Sequence, residues 1–195
     1  MKKIVLATSN QGKIEEIRPH LIKLGFEVYG LDDFNLSNAK EIGKTMKENA
    51  VIKARHVSRV TNFMVLSDDS GLEVEALNGK PGVFSSRFSS KGDDLSNNQL
   101  LLKKMTNHTN RRARFKTVMV LKDETGKEHI FESVLDGYIH TALEGDGGFG
   151  YDPLFIPVGH HETLAHLGFH VKDKISHRKK CLLKVIDHLK HTRNN

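Results

Sequence analysis

Two adjacent carboxylates stand in the segment Ser67–Gly71 (Ser-Asp-Asp-Ser-Gly), directly after the apolar run Phe63–Leu66. Such a run is typical of a buried strand, and strand ends in α/β proteins open onto ligand clefts. Side chains alternate along an extended segment, so Asp68 and Asp69 should point to opposite sides. One acid for chemistry and one for support is therefore predicted. A plain turn in which both aspartates accept backbone N–H groups is the alternative.

The loop Thr8–Lys13 (Thr-Ser-Asn-Gln-Gly-Lys) lies between a predicted strand and a predicted helix. Backbone N–H groups and the positive end of a helix can receive phosphate oxygens, while Lys13 adds a cation beside the neutral donors Ser9 and Asn10. The glycine spacing does not match a Walker A loop or a dinucleotide-binding loop. An ordinary helix cap made by Ser9 or Asn10 is the alternative interpretation.

A second mixed set, Glu48, Asn49 and Lys53, falls on one predicted helix at spacings that allow a shared face. These residue types suit a polar site. A solvated ion pair between Glu48 and Lys53 would have the same spacing and stays open.

Two later stretches suit a flat ligand. In Gly145–Pro153 glycines surround Phe149, so the backbone can approach closely while the ring offers a stacking face. Lys172 and the run Ser176–Arg178 precede and begin the last predicted helix, where lysine can meet phosphate and the others can donate hydrogen bonds to a carbonyl edge. The alternatives are a core position for Phe149 and a serine helix cap followed by surface basic residues.

Strand and helix patterns alternate along the chain, which is typical of an α/β fold. Predicted helices cover about 14–24, 46–60, 93–105 and 176–190; predicted strands cover 4–8, 63–66, 72–77, 113–121 and 129–139, the last two joined by a hairpin turn at 123–126. The hairpin indicates a mixed sheet rather than a purely parallel one. No repeat or linker divides the chain, so 1–195 is predicted to be one domain.

Composition narrows the class of protein. The 195 residues carry a net charge of +6, which suits a polyanionic partner, either a nucleotide or a nucleic acid. The single cysteine, Cys181, cannot form an intramolecular disulfide, and the first residues pass into a strand pattern without a long apolar segment. A cytoplasmic protein with no membrane partner is predicted.

Six motifs in register identify a resemblance to the inosine triphosphate pyrophosphatase family, which hydrolyses noncanonical purine nucleoside triphosphates. The motifs are Thr8–Lys13, Glu48–Ala50 with Lys53–Ala54, Ser67–Leu72, Pro81–Gly82 with Ser86–Phe88, Gly148–Pro153, and Lys172 with Ser176–Arg178. The resemblance implies a long mixed twisted sheet in two lobes flanked by helices, an active site in the cleft between the lobes, and a homodimer. It implies hydrolysis of ITP, dITP and XTP to the monophosphate and pyrophosphate with Mg²⁺.

The resemblance also implies roles for individual residues. Asp69 would be the catalytic general base and a metal ligand. The substrate-binding residues would be Thr8, Ser9, Asn10, Gln11, Gly12, Lys13, Lys53, Ser70, Phe149, Gly150, Tyr151, Asp152, Lys172, His177 and Arg178. Among these the lysines would hold the triphosphate, Phe149 and Asp152 would border the base and sugar, and the last two would read the purine.

One position departs from the family pattern and leaves the metal ligands open. Lys40 stands where family members commonly place an acid, so Glu41 is the candidate second metal ligand beside Asp69. A nucleotide sensor without turnover is one alternative, and an enzyme acting on pyrimidine triphosphates is another. A nucleic-acid-binding module would use the same basic surplus, but aromatic residues are few and scattered, so no nucleic-acid partner is predicted.

Overall fold

The computed structural model describes residues 2–192 of the chain. The helices are α1 (Gln11–Lys23), α2 (Met46–Val57), α3 (Asp94–Met105), α4 (Leu164–Ile175) and α5 (His177–His191); the strands are β1 (Lys2–Leu6), β2 (Phe26–Tyr29), β3 (Met64–Val74), β4 (Arg112–Lys122), β5 (Glu128–Ile139) and β6 (Phe155–Pro157). Short 3-10 helices lie at Asp32–Phe34, Glu75–Leu77, Gly82–Arg87 and Asp152–Leu154.

The strands form one six-stranded open sheet in the order β2-β1-β3-β4-β5-β6. β1 pairs in parallel with both β2 and β3, whereas β5 and β6 are antiparallel. A tight turn at 123–127 joins β4 to β5, with the Asp123 N–H donating to the Lys127 carbonyl at 3.0 Å. The sheet is therefore mixed and flanked by helices, which confirms the predicted α/β class.

Side-chain caps fix where four of the helices begin. Asn10, Thr45, Asp93 and Thr163 precede α1, α2, α3 and α4, and each accepts a hydrogen bond from a backbone N–H in the first turn. Such caps satisfy donors that have no partner within the helix, and each is worth about 1 kcal/mol. The helix-cap interpretation of Asn10 is thus correct, since its side chain accepts from the Lys13 N–H at 3.1 Å.

The chain forms two compact units, each with its own apolar core. Among the described residues, the first unit takes those up to Asp69, then Thr117–Ser133, then those from Arg178 onward; the second takes Ser70–Lys116 and Val134–His177. In the first unit, the buried residues of β1, β3 and β4 pack with those of α1 and α5. In the second, the buried residues come from β3, β4, β5 and β6 and from α3, α4 and the 3-10 helix at Asp152–Leu154.

Several sequence expectations differ from the structure. Asp68 and Asp69 lie inside the 11-residue strand β3 and not after its end, because polar residues buried among partners can continue a strand that the apolar run only begins. Helix α2 ends at Val57, three residues before the predicted end. The strands β2 and β6 and the helix α4 were not predicted, being short or, in α4, interrupted by Gly168 at φ +77°.

Of the helices described between residues 2 and 192, none has the length and apolar character needed to span a membrane.

Candidate active site

In the first unit, Asp68 is the centre of a buried charge cluster. Its Oδ2 lies 2.9 Å from Lys13 Nζ and 3.6 Å from Arg178 Nε, and Arg178 also pairs with Glu16. Despite complete burial, the neighbouring Lys13, Arg178 and Lys53 cations hold the pKa of the Asp68 carboxyl well below its usual range. Asp68 is thus a buried negative charge that pairs with two basic side chains.

Asp69 points to different partners. Its Oδ1 accepts from Lys53 Nζ at 3.3 Å and its Oδ2 from Asn49 Nδ2 at 3.2 Å. Burial raises the pKa of this carboxyl in spite of the nearby lysines, so its proton affinity exceeds that of an ordinary aspartate. The two neighbouring acids are therefore chemically distinct, and Asp69 is the more basic.

Lys53 joins Asp69 to the loop that carries Glu41. Its Nζ donates to Glu41 Oε1 at 2.8 Å. Burial alone would lower the pKa of Lys53, but the carboxylates of Asp69, Asp68 and Glu41 outweigh it and raise the value. Lys53 is accordingly a permanent cation held between two carboxylates.

The set predicted on helix α2 divides in two. Asn49 and Lys53 are buried beside Asp69, and Asn49 Oδ1 also accepts from the Gly43 N–H at 2.8 Å. Glu48 instead accepts from the Lys44 N–H at 2.6 Å on the exposed side. The predicted Glu48–Lys53 ion pair is wrong, because Lys53 faces the strand β3.

The loop Thr8–Lys13 leads into helix α1, which begins at Gln11. Thr8 Oγ1 accepts from the Asn10 N–H at 3.1 Å, and Ser9 Oγ accepts from Asn38 Nδ2. Gln11 turns outward to Glu15. Gly12 and Lys13 follow in the first turn of α1, where burial lowers the pKa of Lys13 against the attraction of Asp68.

In the second unit, Asp152 and Lys172 support Phe149. Asp152 Oδ2 accepts from Lys172 Nζ at 2.7 Å and from the Phe149 N–H at 2.9 Å. The Lys172 ammonium lies 4.2 Å from the centroid of the Phe149 ring, within the range of a cation–π contact. In this cluster the loop supplies the aromatic ring of Phe149, and helix α4 supplies the ammonium group of Lys172.

The remaining predicted residues of the second unit have different surroundings. Tyr151 is buried and its hydroxyl donates to the Ser85 carbonyl at 2.8 Å, with its pKa raised by burial, so its contacts are those of a core residue. His177 stacks on Phe115, with ring centroids 4.8 Å apart and planes at 9°. Ser70 is half-buried on β3 and Gly150 adjoins Phe149 in the loop.

Two residues that contact predicted site residues were named in no motif: Glu16, which pairs with Arg178, and Phe115, which stacks on His177. Asn49, which donates to Asp69, was named in the set on α2 but was given no role in the site. Glu16 and Arg178 are 162 positions apart, so no local spacing could have indicated their pairing. For Asn49 the signal was present, because it sits four residues before Lys53 on one helix.

The carboxylates of Asp69 and Glu41 suit a magnesium ion. Both carboxylates contact the same Lys53 ammonium, so they face one position. Mg²⁺ takes oxygen ligands and often uses one or two carboxylates, with water and substrate phosphates completing its shell. Within residues 2–192 no group of three or more His, Cys, Asp or Glu side chains is placed to hold a metal ion, so any site here needs such added oxygens.

Comparisons with known proteins agree with the resemblance found from the motifs. The sequence model of the Ham1 family matches residues 4–188. The chain belongs to the Ham1 family. A curated relative from Thermus thermophilus, named dITP/XTP pyrophosphatase, is 42% identical over 187 residues, covering 95% of this chain and 90% of the relative. A relative of Elusimicrobium minutum with the same name is 44% identical over 196 residues, covering 96% and 100%.

Solved Ham1 structures share the fold. The Staphylococcus aureus Ham1 protein superposes with a TM-score of 0.90 at 35% identity, covering 98% of this chain and all of that one. A HAM1 protein from Coxiella burnetii gives 0.91 at 36% identity with the same coverage. The six-stranded mixed sheet is therefore the Ham1 fold.

Proposed function

We propose that this Ham1 protein hydrolyses the noncanonical purine triphosphates ITP, dITP and XTP to the monophosphate and pyrophosphate, and so clears them from the nucleotide pool. Curated relatives at 42% and 44% identity over nearly the whole chain are named for dITP and XTP. The observation that carries the proposal is Asp69, a buried carboxylate of raised pKa held by Lys53 and Asn49.

The proposed reaction is attack of water on the α-phosphorus. Asp69 takes a proton from that water as its oxygen bonds to phosphorus, the bond from the α-phosphorus to the bridging oxygen breaks, and pyrophosphate leaves with the electron pair. A general base of this kind contributes about 10²- to 10⁴-fold in rate, and a pKa raised toward the working pH favours the role.

Cationic donors would hold the triphosphate and its departing charge. By match of motif these are Lys13, Lys53 and Lys172, with Ser9 and Asn10 as neutral donors. A hydrogen bond to a charged group contributes roughly 1.5 to 3 kcal/mol, so three lysines are enough for much of a micromolar affinity of about 8 kcal/mol before entropy costs. Lys13 and Lys53 are already fixed by Asp68 and Asp69, which reduces the ordering cost of binding.

Purine identity is assigned to His177 and Arg178. Hypoxanthine and xanthine carry an acceptor oxygen at position 6, whereas adenine carries an amino donor there. A site whose hydrogen-bond donors pair with an acceptor on the substrate can discriminate by about 10⁴-fold against a ligand that lacks this acceptor, because the donors are then left unpaired. Phe149, with Lys172 on one side of its ring, is proposed as the stacking surface for the base.

A magnesium ion is proposed as the cofactor, with Asp69 and Glu41 as its protein ligands. When bound, it would supply positive charge to neutralise phosphate oxygens. Glu41 fits this role by its contact with Lys53, and Lys40 is exposed beside it.

A homodimer and a cytoplasmic location are further parts of the proposal. The homodimer comes from the family resemblance, and the cytoplasmic location comes from the single cysteine, Cys181, which is a free thiol. No nucleic-acid partner is proposed. Sedimentation at several concentrations tests the oligomeric state, and a single monomeric species at every concentration would remove the homodimer.

The decisive experiment is pyrophosphate release from ITP, XTP, dITP, GTP, ATP and dTTP, with and without Mg²⁺. Fast release from the first three and little from ATP is expected, with a 10²- to 10⁴-fold loss for Asp69→Asn. Asp187→Asn, which changes an exposed carboxylate on α5, is the matched control. Binding of ITP without turnover would establish a sensor instead, and equal rates on all six would remove the base-reading roles.

A further inference from the structure

Both backbone polar groups of Gly150 are hydrogen-bonded to side chains of helix α3. The Gly150 N–H donates to Asp94 Oδ2 at 2.7 Å, and the Gly150 carbonyl accepts from Asn98 Nδ2 at 2.8 Å. Asp94 and Asn98 are one turn apart on the same helix face. Gly150 adopts φ +63°, a region that favours glycine, and these two bonds hold its backbone in that conformation.

The clamped peptide directly follows Phe149. The Phe149 N–H donates to Asp152 and the Lys172 ammonium lies over the ring, so this segment is held on that side by residues of its own cluster. The two Gly150 bonds restrain the backbone on the other side of Phe149.

Asn98 uses both hydrogens of its side-chain amide as donors. It is 3% exposed, and its Nδ2 donates to both the Gly150 carbonyl and the Asp94 carbonyl, the latter at 2.9 Å. A reversed amide would put Oδ1 against two carbonyl oxygens, so the orientation is determined. Among the described residues Asn98 Oδ1 has no hydrogen-bond partner, so the two donor hydrogens account for all of its hydrogen bonding.

The adjacent amide serves another loop. Asn97 Oδ1 accepts from the Ser89 N–H at 2.7 Å, and its Nδ2 donates to the Ser86 carbonyl at 3.2 Å. Two neighbouring buried amides on α3 thus hold two separate segments, and only Asn98 reaches the loop of Phe149.

We propose that Asn98 is a positioning residue for substrate binding, which sets the Phe149 ring for the purine through the Gly150 peptide. This inference rests on the proposed function, since it assumes that Phe149 stacks on the base. It predicts that Asn98 matters more for the nucleoside half of the substrate than for the phosphate half. Of the three candidate phosphate ligands, Lys172 contacts the Phe149 ring, whereas Lys13 and Lys53 contact Asp68 and Asp69.

The kinetic test compares Asn98→Asp, Asn98→Ala and Leu101→Val. Both Asn98 changes remove the donors, whereas Leu101→Val trims a buried side chain on the same helix and leaves both Gly150 bonds in place. We expect KM for ITP to rise about tenfold or more in the Asn98 variants, with the inhibition constant of inorganic tripolyphosphate changed less than twofold. Leu101→Val should leave both constants unchanged.

A spectroscopic test needs no activity. The chain has no tryptophan, so Phe149→Trp introduces a unique indole. In that background Asn98→Ala should shift the indole emission and increase its quenching by acrylamide, while Leu101→Val should not. Asn98→Ala keeps the test available if Asn98→Asp does not fold.

The outcomes separate the two proposals. If the wild-type chain releases no pyrophosphate from ITP, the proposed function is wrong. The indole experiment then still decides whether Asn98 positions the side chain at residue 149. Equal rises in KM and in the tripolyphosphate constant, or equal effects of Asn98→Ala and Leu101→Val, would overturn the role of Asn98.

Discussion

Two neighbouring aspartates on one strand have opposite electrostatic surroundings. Asp68 lies among Lys13, Arg178 and Lys53, whose charges overcome its burial and lower its pKa. For Asp69 burial is the larger effect, so its pKa is raised. The alternation of side chains along β3 creates this difference, because it sends each carboxylate to another set of partners. That the two side chains point to different sides was predictable from the sequence, but their partners were not.

The two carboxyls should titrate separately. In the metal-free chain we expect Asp69 to lose its proton above the ordinary aspartate pKa of about 3.9, and Asp68 to lose it below that value. Carbon-13 NMR of the carboxyl signals against pH measures both, with Asp69→Asn to assign the resonance. Coincident titrations, or the reverse order, would remove the argument that Asp69 is the more basic group.

Asp68→Asn should destabilise the chain strongly at neutral pH. It removes the carboxylate that pairs with the buried Lys13 and one of the two carboxylates that pair with Arg178, which keeps Glu16. Breaking a buried pair costs about 3 to 5 kcal/mol. Because the folded pKa of Asp68 is depressed, its stabilisation is full above the unfolded pKa of about 3.9 and is lost as pH falls below it.

Urea unfolding of the wild type and Asp68→Asn at several pH values measures this difference. The difference in the free energy of unfolding between the wild type and Asp68→Asn should become smaller as the pH falls. A difference that does not depend on pH would indicate lost packing instead of lost charge pairing. Asp187→Asn should stay within about 0.5 kcal/mol of the wild type, because Asp187 is an exposed residue of α5.

Elements with a long, regular apolar pattern were predictable, and short ones were not. The helices α1, α2, α3 and α5 and the strands β4 and β5 lie where their periodicity indicates. β2 and β6 have four and three residues, too few for a pattern to show. Their formation depends on pairing with β1 and β5, which is a tertiary effect outside any local window.

The β5–β6 pairing should depend on Gly137. A methyl group there would lie 2.4 Å from the Ile156 carbonyl oxygen and 2.5 Å from the Phe155 ring. Both distances are shorter than van der Waals contact, and relieving the first requires the β6 backbone to move. We expect Gly137→Ala to lower stability by about 1 to 3 kcal/mol, as overpacking does. Gly30→Ala, where the nearest atom would be 3.7 Å away, is the control, and thermal unfolding of both variants measures the effect. Similar melting temperatures for the two would contradict the steric argument.

Across the whole molecule, motifs predicted the identities of the candidate site residues but not their neighbours. Lys13, Lys53, Asp69, Asp152 and Lys172 were all named from motif positions, and the structure places them in two charged clusters. Other neighbours of candidate site residues, such as Glu16 beside Arg178 and Asn98 beside Gly150, come from distant parts of the chain. Their contacts exist only once the sheet and helices have assembled.

Cys181 offers a measure of how the first unit opens. It is fully buried in that core, and burial raises the pKa of its thiol to about 12. We expect a disulfide reagent at pH 8 to label it only at the rate at which the structure opens, with labelling increasing in parallel with unfolding by urea. Rapid labelling of the native chain would contradict the burial.

Neither unit is a continuous stretch of sequence, and this has a bearing on synthesis. The first core includes Leu182, Val185 and Leu189 of the last helix, while the second is complete only at His177. A nascent chain emerging from the ribosome therefore holds an unfinished pair of cores until nearly all of it has been translated. Early translation products of this protein should consequently expose apolar surface and engage chaperones until α5 emerges.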